Sequence, residues 1–218
     1  MIELKVRSVH FLTESLFELQ LERGEMVFEP GSCVAVFNPQ GESRPYSIAS
    51  GTDESALRLL IRRLPGGQVS DWLADRKPGD GLTISAPFGW FRPAGGQAGK
   101  RVYFATGTGI APFLSCLRSR PAAQPELCLY GVTRQMDAFA LPELQNQPWF
   151  RLATSQERQN GHFYGRITGL LDQVPLATDI HYYLCGLDSM IDDISTWLES
   201  RGIDFTQIHR EIFFYENG

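Results

Sequence analysis

Through the first half of the chain, apolar and polar positions alternate in short runs, the period of strands with one buried face. Ile2–Val9, Leu16–Leu21, Cys33–Phe37, Arg44–Ile48, Leu57–Arg62 and Gly81–Ser85 carry this pattern. Turn signals separate them at Glu29-Pro30-Gly31, Asn38-Pro39-Gln40-Gly41, Pro65-Gly66-Gly67 and Lys77-Pro78-Gly79-Asp80. Short strands at this spacing predict a six-stranded antiparallel Greek-key barrel. After Pro93–Lys100 the texture changes. Arg101–Thr106, Leu127–Val132, Phe150–Thr154 and Tyr182–Leu184 are almost continuously apolar. They alternate with helical stretches at Pro112–Arg120, Leu141–Gln147 and Asp188–Arg201, the last capped by Asp188 or Ser189 and stopped by Gly202. Fully apolar strands between helices predict a parallel sheet covered on both faces. The fold class is therefore all-β plus α/β. The barrel takes residues 1–97, the α/β domain takes 98–218, and Gly95-Gly96-Gln97-Ala98-Gly99 serves as a linker.

Composition narrows this picture. The 218 residues are 43% hydrophobic and 21% charged, with 14 Phe, 7 Tyr and 4 Trp, enough core material for folded domains. A net charge of −5 argues against nucleic-acid binding. No apolar run approaches the roughly 20 residues needed to span a bilayer. The opening Met1-Ile2-Glu3-Leu4-Lys5-Val6 lacks the build of a secretion signal. Cys33, Cys116, Cys128 and Cys185 are scattered with no Cys-x-x-Cys pair, so neither an iron–sulfur cluster nor a zinc site is expected. Cys116 and Cys128 lie in apolar segments and read as reduced core thiols, and the expected location is the cytoplasm.

Four segments can carry chemistry. Thr106-Gly107-Thr108-Gly109-Ile110-Ala111-Pro112 joins a predicted strand to a predicted helix. Its glycines let backbone approach a pyrophosphate, and a helix start supplies N–H groups. A plain glycine-rich turn explains the same residues. In Arg44-Pro45-Tyr46-Ser47, Arg44 suits a phosphate, Tyr46 a planar ring and Ser47 a ring heteroatom, although an edge strand with a packed tyrosine also fits. Ile61-Arg62 runs into Gly67-Gln68-Val69-Ser70 and a short helix at Asp71-Trp72-Leu73, where Ser70 is the expected cap. Cys185-Gly186 ends a buried strand, where a thiol would face the carboxyl edge of the sheet or simply pack.

In this order the four segments resemble the ferredoxin–NADP reductase superfamily of flavoproteins, from about Leu4 to Glu216. The resemblance implies that Arg44 pairs with flavin phosphate, that Pro45 and Tyr46 lie against the isoalloxazine, and that Ser47 hydrogen-bonds near its N5. It implies a second flavin segment at Ile61, Arg62, Gly67, Gln68, Val69 and Ser70. Pro87-Phe88-Gly89-Trp90-Phe91 matches the segment that closes the barrel, with Ala86 standing where the family has glycine. Thr106, Gly107, Thr108, Gly109, Ile110 and Pro112 match the loop for the nicotinamide nucleotide's pyrophosphate, and Cys185-Gly186 the pair beside the nicotinamide. The tail Arg210-Glu211-Ile212-Phe213-Phe214-Tyr215 resembles endings that bring a carboxylate, here Glu211, and a ring, here Phe213, to the flavin.

The implied chemistry is hydride transfer between NADPH or NADH and FAD, with Ser47, Cys185 and Glu211 as catalytic residues. Single electrons would then pass to a separate carrier such as ferredoxin or flavodoxin. Arg62, Arg63, Arg76, Lys77 and Arg92 offer a basic surface for such a carrier, or are simply a solvated face. Ser155, Arg158 and Arg134 are the candidates for a 2′-phosphate and tip the balance toward NADPH, with Glu157 opposing it. Core packing is the expected role of both Trp90 and Phe91. Three other functions fit the same residues: an NAD(P)H:flavin reductase using free flavin, the reductase component of a multicomponent oxygenase, and a non-catalytic nucleotide-binding regulatory subunit.

Overall fold

The computed structural model describes residues 1–93 and 99–214, with side chains through Ile212. Most of the expected linker and the last four residues thus lie outside the described residues. The chain divides into two compact units, Met1–Gly95 with Ala111–Ala122, and Gly96–Ile110 with Ala123–Gly218.

In the first unit, β1 (Ile2–Phe11), β2 (Leu16–Glu22), β3 (Cys33–Phe37), β4 (Ser43–Ser47), β5 (Ala56–Arg62) and β6 (Gly81–Ile84) form one sheet in the order β4-β3-β6-β1-β2-β5. Every pairing is antiparallel. Its edge strands meet: Ile48 bridges Leu59, and the Ala49 amide donates to the Arg58 carbonyl at 2.8 Å. That seam closes the barrel and leaves no free edge to aggregate. Alternation supplies the core, which gathers Leu4, Val6, Phe17, Leu19, Val34, Val36, Leu57, Leu59 and Ile61. A short helix, α1 (Ser70–Ala74), adds Leu73.

In the second unit, β7 (Lys100–Thr106), β8 (Leu127–Val132), β9 (Phe150–Thr154), β10 (Phe163–Tyr164), β11 (Ile180–Leu187) and β12 (Ile208–Phe214) form a sheet ordered β10-β9-β8-β7-β11-β12. All its pairings are parallel. Helix α4 (Asp188–Ser200) packs Met190, Ile191, Ile194 and Leu198 onto Val102, Phe104, Tyr182 and Leu184. It starts after Leu187, so Asp188 is its first residue rather than its cap, and Ser189 lies inside it. Gly202 ends it as expected, at φ +82°, with Ile203 N–H returning to the Leu198 carbonyl at 3.1 Å. Helix α3 (Leu141–Leu144) is shorter than its sequence pattern predicts.

The helix after β7, α2 (Ala111–Ser119), packs within the first unit. Ser115 Oγ donates to the Ser50 carbonyl and Arg118 Nη1 to the Ala49 carbonyl, both at 2.8 Å. The Thr52 amide donates to Ser119 Oγ at 3.0 Å. Ala49–Thr52 is the stretch directly after β4, so α2 clamps the exit of the strand that carries Arg44, Tyr46 and Ser47.

Candidate functional site

On β4 the pleat sorts the side chains. Arg44 and Pro45 are exposed, Tyr46 is half-buried against the barrel core, and Ser47 is buried. Arg44 Nη1 donates to the Ser43 carbonyl at 2.8 Å, which leaves most of its guanidinium donors facing outward. Burial pushes the Tyr46 phenol above its usual range, with the Arg44 cation pulling the other way. Its ring is therefore a neutral packing surface. Ser47 and Cys33 are register partners on β4 and β3, and Ser47 Oγ lies 3.2 Å from Cys33 Sγ. The Cys33 backbone is in turn fixed by paired bonds with Phe88 at 2.8 and 2.9 Å.

The segment after β5 is shaped by one side chain. Ser70 Oγ accepts the Leu64 amide at 3.1 Å, curling 64–70 back on itself. A Cβ on Gly67 would sit 2.8 Å from the Leu64 carbonyl oxygen and 2.9 Å from Ser70 Oγ, so the curl admits only glycine there. Ser70 is thus a bracing residue inside α1, and Val69, not Ser70, occupies the cap position. Ile61 and Val69 are core residues, while Arg62 and Gln68 are exposed. The Gln68 carbonyl accepts Asn38 Nδ2 at 3.3 Å. Together the first unit offers an outward cation on β4, a neutral aromatic face, a buried hydroxyl and a second outward cation at Arg62. That donor set suits a ligand carrying phosphate and a flat heteroaromatic ring.

Two aromatics of the closing segment differ from each other. Phe91 packs in the core at 6% exposure, edge-on to Phe113. Trp90 is 97% exposed, which corrects the expectation of core packing. Adjacent residues of extended chain point to opposite sides, so only one could face inward. Of the basic residues, Arg63, Arg76 and Arg92 are ion-paired with Asp71, Asp80 and Glu29 at 2.6, 3.6 and 3.0 Å. The positive field of that surface is accordingly weaker than the sequence implies.

In the second unit the parallel pairing of β7, β8, β9 and β11 brings four carboxyl ends to one edge, where ligands of such sheets bind. After β7 a 3-10 turn, Gly107–Ile110, runs straight into α2, with Pro112 in the helix's first turn. Gly107 has φ +55° and open space around it, and its carbonyl accepts the Tyr130 hydroxyl at 2.9 Å. Gly109 is small for another reason. A Cβ there would come 2.8 Å from Gly186 Cα and overlap the Cys185 carbonyl. Thr108 and Ile110 are buried. Cys185 is fully buried, and its thiol reaches Glu211 Oε2 over 3.9 Å across the β11–β12 register pair. This contact joins two residues 26 apart in the chain, and neither β12 nor its parallel pairing is legible in the tail's sequence. The Phe213 backbone lies in β12, but its side chain falls outside the described residues, as does all of Tyr215.

Beyond β8 and β9 the loops are laced together. Ser155 and Gln156 amides donate to the Val132 and Thr133 carbonyls, both at 3.0 Å. Ser155 is exposed, and its Oγ makes only a long 3.5 Å approach to the Val132 carbonyl. Arg134 is exposed, and the Arg158 guanidinium stacks 4.5 Å over the Tyr164 ring. Among the described residues no group of His, Cys, Asp and Glu could hold a metal ion, and no helix is long and apolar enough to cross a membrane.

A family model, the oxidoreductase FAD-binding domain, matches residues 4–92. The anthranilate 1,2-dioxygenase electron transfer component of Acinetobacter baylyi is 30% identical over 97% of this chain and 67% of its own length. The aromatic O-demethylase reductase subunit of an Amycolatopsis species is 32% identical over 86% of this chain and 61% of its own. The chain spans 61–66% of the length of the first curated relatives it matches. In fold it is similar to a ferredoxin NADP+ reductase from Neisseria gonorrhoeae with bound FAD and NADP. The TM-score there is 0.85, with 23% identity and 98% of both chains covered.

Proposed function

This chain belongs to the ferredoxin–NADP reductase superfamily of FAD-binding oxidoreductases, and from that premise we propose that it carries electrons from NAD(P)H through FAD to a separate one-electron acceptor. The observation that carries the reading is the β4 strip. An outward arginine, a neutral tyrosine ring and a buried serine hydroxyl follow one another along the strand within the segment matched by the FAD-binding model. Bound FAD supplies the step from hydride acceptance to single-electron release.

The chain's own residues hold and orient. Arg44 and Arg62 bind flavin phosphate, Pro45 and Tyr46 present a surface to the flavin ring, and Ser47 donates a hydrogen bond to it. Gly67, Gln68, Val69 and Ser70 form the second wall. Gly107 gives the nucleotide pyrophosphate room, and Cys185 with Glu211 orients the nicotinamide and holds a proton near it. In this reading residues 1–97 are the flavin domain and 98–218 the nucleotide domain. Four buried, unbridged thiols suit a reducing compartment, which we take to be the cytoplasm.

The relatives named as electron transfer or reductase components of oxygenase systems favour an acceptor of that kind, an iron–sulfur carrier or an oxygenase, over a diffusing flavin. The test is an absorption spectrum of the purified protein before and after anaerobic addition of NADH or NADPH. Flavin bands that bleach within the mixing time support the proposal. A colourless protein that reduces added flavin makes it a flavin reductase, and a protein that neither binds flavin nor reduces ferricyanide makes it a non-catalytic subunit.

A further inference from the structure

Glu157 sits at the carboxyl edge of the second sheet, in the loop after β9, and its carboxylate is already aimed. Oε2 accepts the Gln135 backbone N–H at 2.8 Å, and Oε1 accepts Gln159 Nε2 at 3.0 Å. Its own backbone is fixed as well, because Thr154 Oγ1 donates to the Glu157 carbonyl at 2.6 Å. Gln135 lies just past the end of β8, so this one side chain ties the β8 and β9 loops together. These bonds, the one from Gln135 foremost, keep the acid below the usual carboxylate range, and the Arg134 cation adds to the effect. The group is an anion at any physiological pH, and each oxygen keeps a lone pair for a further donor.

The strand order says what would come within its reach. In the proposed function, on which this inference rests, the nucleotide's pyrophosphate lies at the Gly107 turn of β7 and its nicotinamide at the end of β11. The order β9-β8-β7-β11 places β11 on one side of β7 and β8 with β9 on the other. The adenosine half then runs over the ends of β8 and β9, toward Glu157. The charge of Arg134 bears on Glu157, and Arg158 is stacked on Tyr164.

We propose that Glu157 is the specificity-determining residue that makes this chain select NADH over NADPH, accepting the adenosine ribose hydroxyls and repelling a 2′-phosphate. A phosphomonoester there would bring about −1.5 to −2 charges against a fixed carboxylate. This reverses the balance drawn from sequence. Sequence counted the cations Arg134 and Arg158 near Ser155 but could not see that the intervening acid is the group held in place.

The test is calorimetric titration of the flavin-loaded protein with ADP-ribose and with its 2′-phosphorylated form, so that binding is read without turnover. The wild type should bind ADP-ribose about ten-fold tighter or more, as expected for like charges a few ångströms apart near a protein surface. Glu157→Gln keeps an acceptor for the Gln135 amide and removes the charge. It should bring the two affinities within about three-fold, mainly by tightening the phosphorylated ligand. An unchanged melting temperature confirms that the variant is folded. Tighter wild-type binding of the phosphorylated ligand, or an unmoved ratio in Glu157→Gln, overturns the role of Glu157 while leaving the nucleotide site standing. Binding of neither ligand overturns the nucleotide reading itself, and this inference with it.

Discussion

The Leu187 amide donates to Thr106 Oγ1 over 2.9 Å and so ties the carboxyl end of β11 to that of β7. Gly186, just before it, has φ +139°, and a Cβ there would overlap the same hydroxyl. The Thr106 hydroxyl therefore helps to build the edge of the sheet. Thr106→Val should leave the Leu187 donor unsatisfied and cost about 1–3 kcal/mol. Gly186→Ala should cost at least as much, since both the backbone and the space are wrong. Thermal unfolding followed with nucleotide titration checks this, and a Gly186→Ala protein with wild-type stability and nucleotide affinity would refute it.

Ser47 is fixed by its place on β4 and its approach to Cys33. If its hydroxyl serves the hydride step, Ser47→Ala should keep the flavin bound yet slow its reduction about ten- to a hundred-fold, the scale of losing one aimed donor. Stopped-flow absorbance after mixing with NADH gives that rate, and unchanged kinetics would remove Ser47 from the mechanism.

Among the described residues Arg44 makes one hydrogen bond within the protein, to the adjacent carbonyl. Arg44→Ala should leave the barrel's stability nearly unchanged and weaken FAD about ten- to a hundred-fold, the worth of a charge-assisted hydrogen bond. Fluorescence titration of the apoprotein with FAD measures the loss. A large drop in melting temperature with unchanged FAD affinity would instead mark Arg44 as structural.

His209 stacks on Tyr183 with ring centroids 4.4 Å apart, and its Nε2 lies 3.1 Å from His181 Nδ1. Burial, and then the neighbouring His181, lowers its pKa below the usual 6.5. The folded state therefore binds its proton more weakly than the unfolded chain does. Its contribution to stability is fully present above about pH 6.5 and is lost below it, as the pH falls through the lower pKa of the folded state. Melting temperatures between about pH 5 and 8 should show this slope in the wild type and a shallower one in His209→Phe, which keeps the stacking surface. Parallel curves for the two proteins would assign the slope elsewhere.

The sequence by itself determined the periodicities, and with them the barrel and the four central strands of the second sheet. The six barrel strands and the β7, β8, β9 and β11 cores lie where alternation and apolar runs place them, within a few residues. The reason is local: side-chain direction repeats every two residues along a strand, so a buried face leaves its trace in consecutive letters. The β4 segment and the glycine turn after β7 were legible for the same reason, since their chemistry sits in adjacent residues. What only the tertiary structure decided are relations between residues far apart in the chain. β12 escaped because Ile208–Phe214 has no turn or period of its own and is a strand only through its pairing with β11. Gly109 reads as a ligand cradle, yet its missing Cβ makes room for Cys185, whose carbonyl comes from 76 positions later in the chain. Trp90 and Phe91 are adjacent aromatic residues that alternation along the chain splits between solvent and core. Arg134, Ser155 and Arg158 suggested a phosphate by type. Which charge is held in place is set by the Gln135 amide on another strand's loop, because a hydrogen bond fixes a side chain by proximity in space, which spacing along the chain does not record.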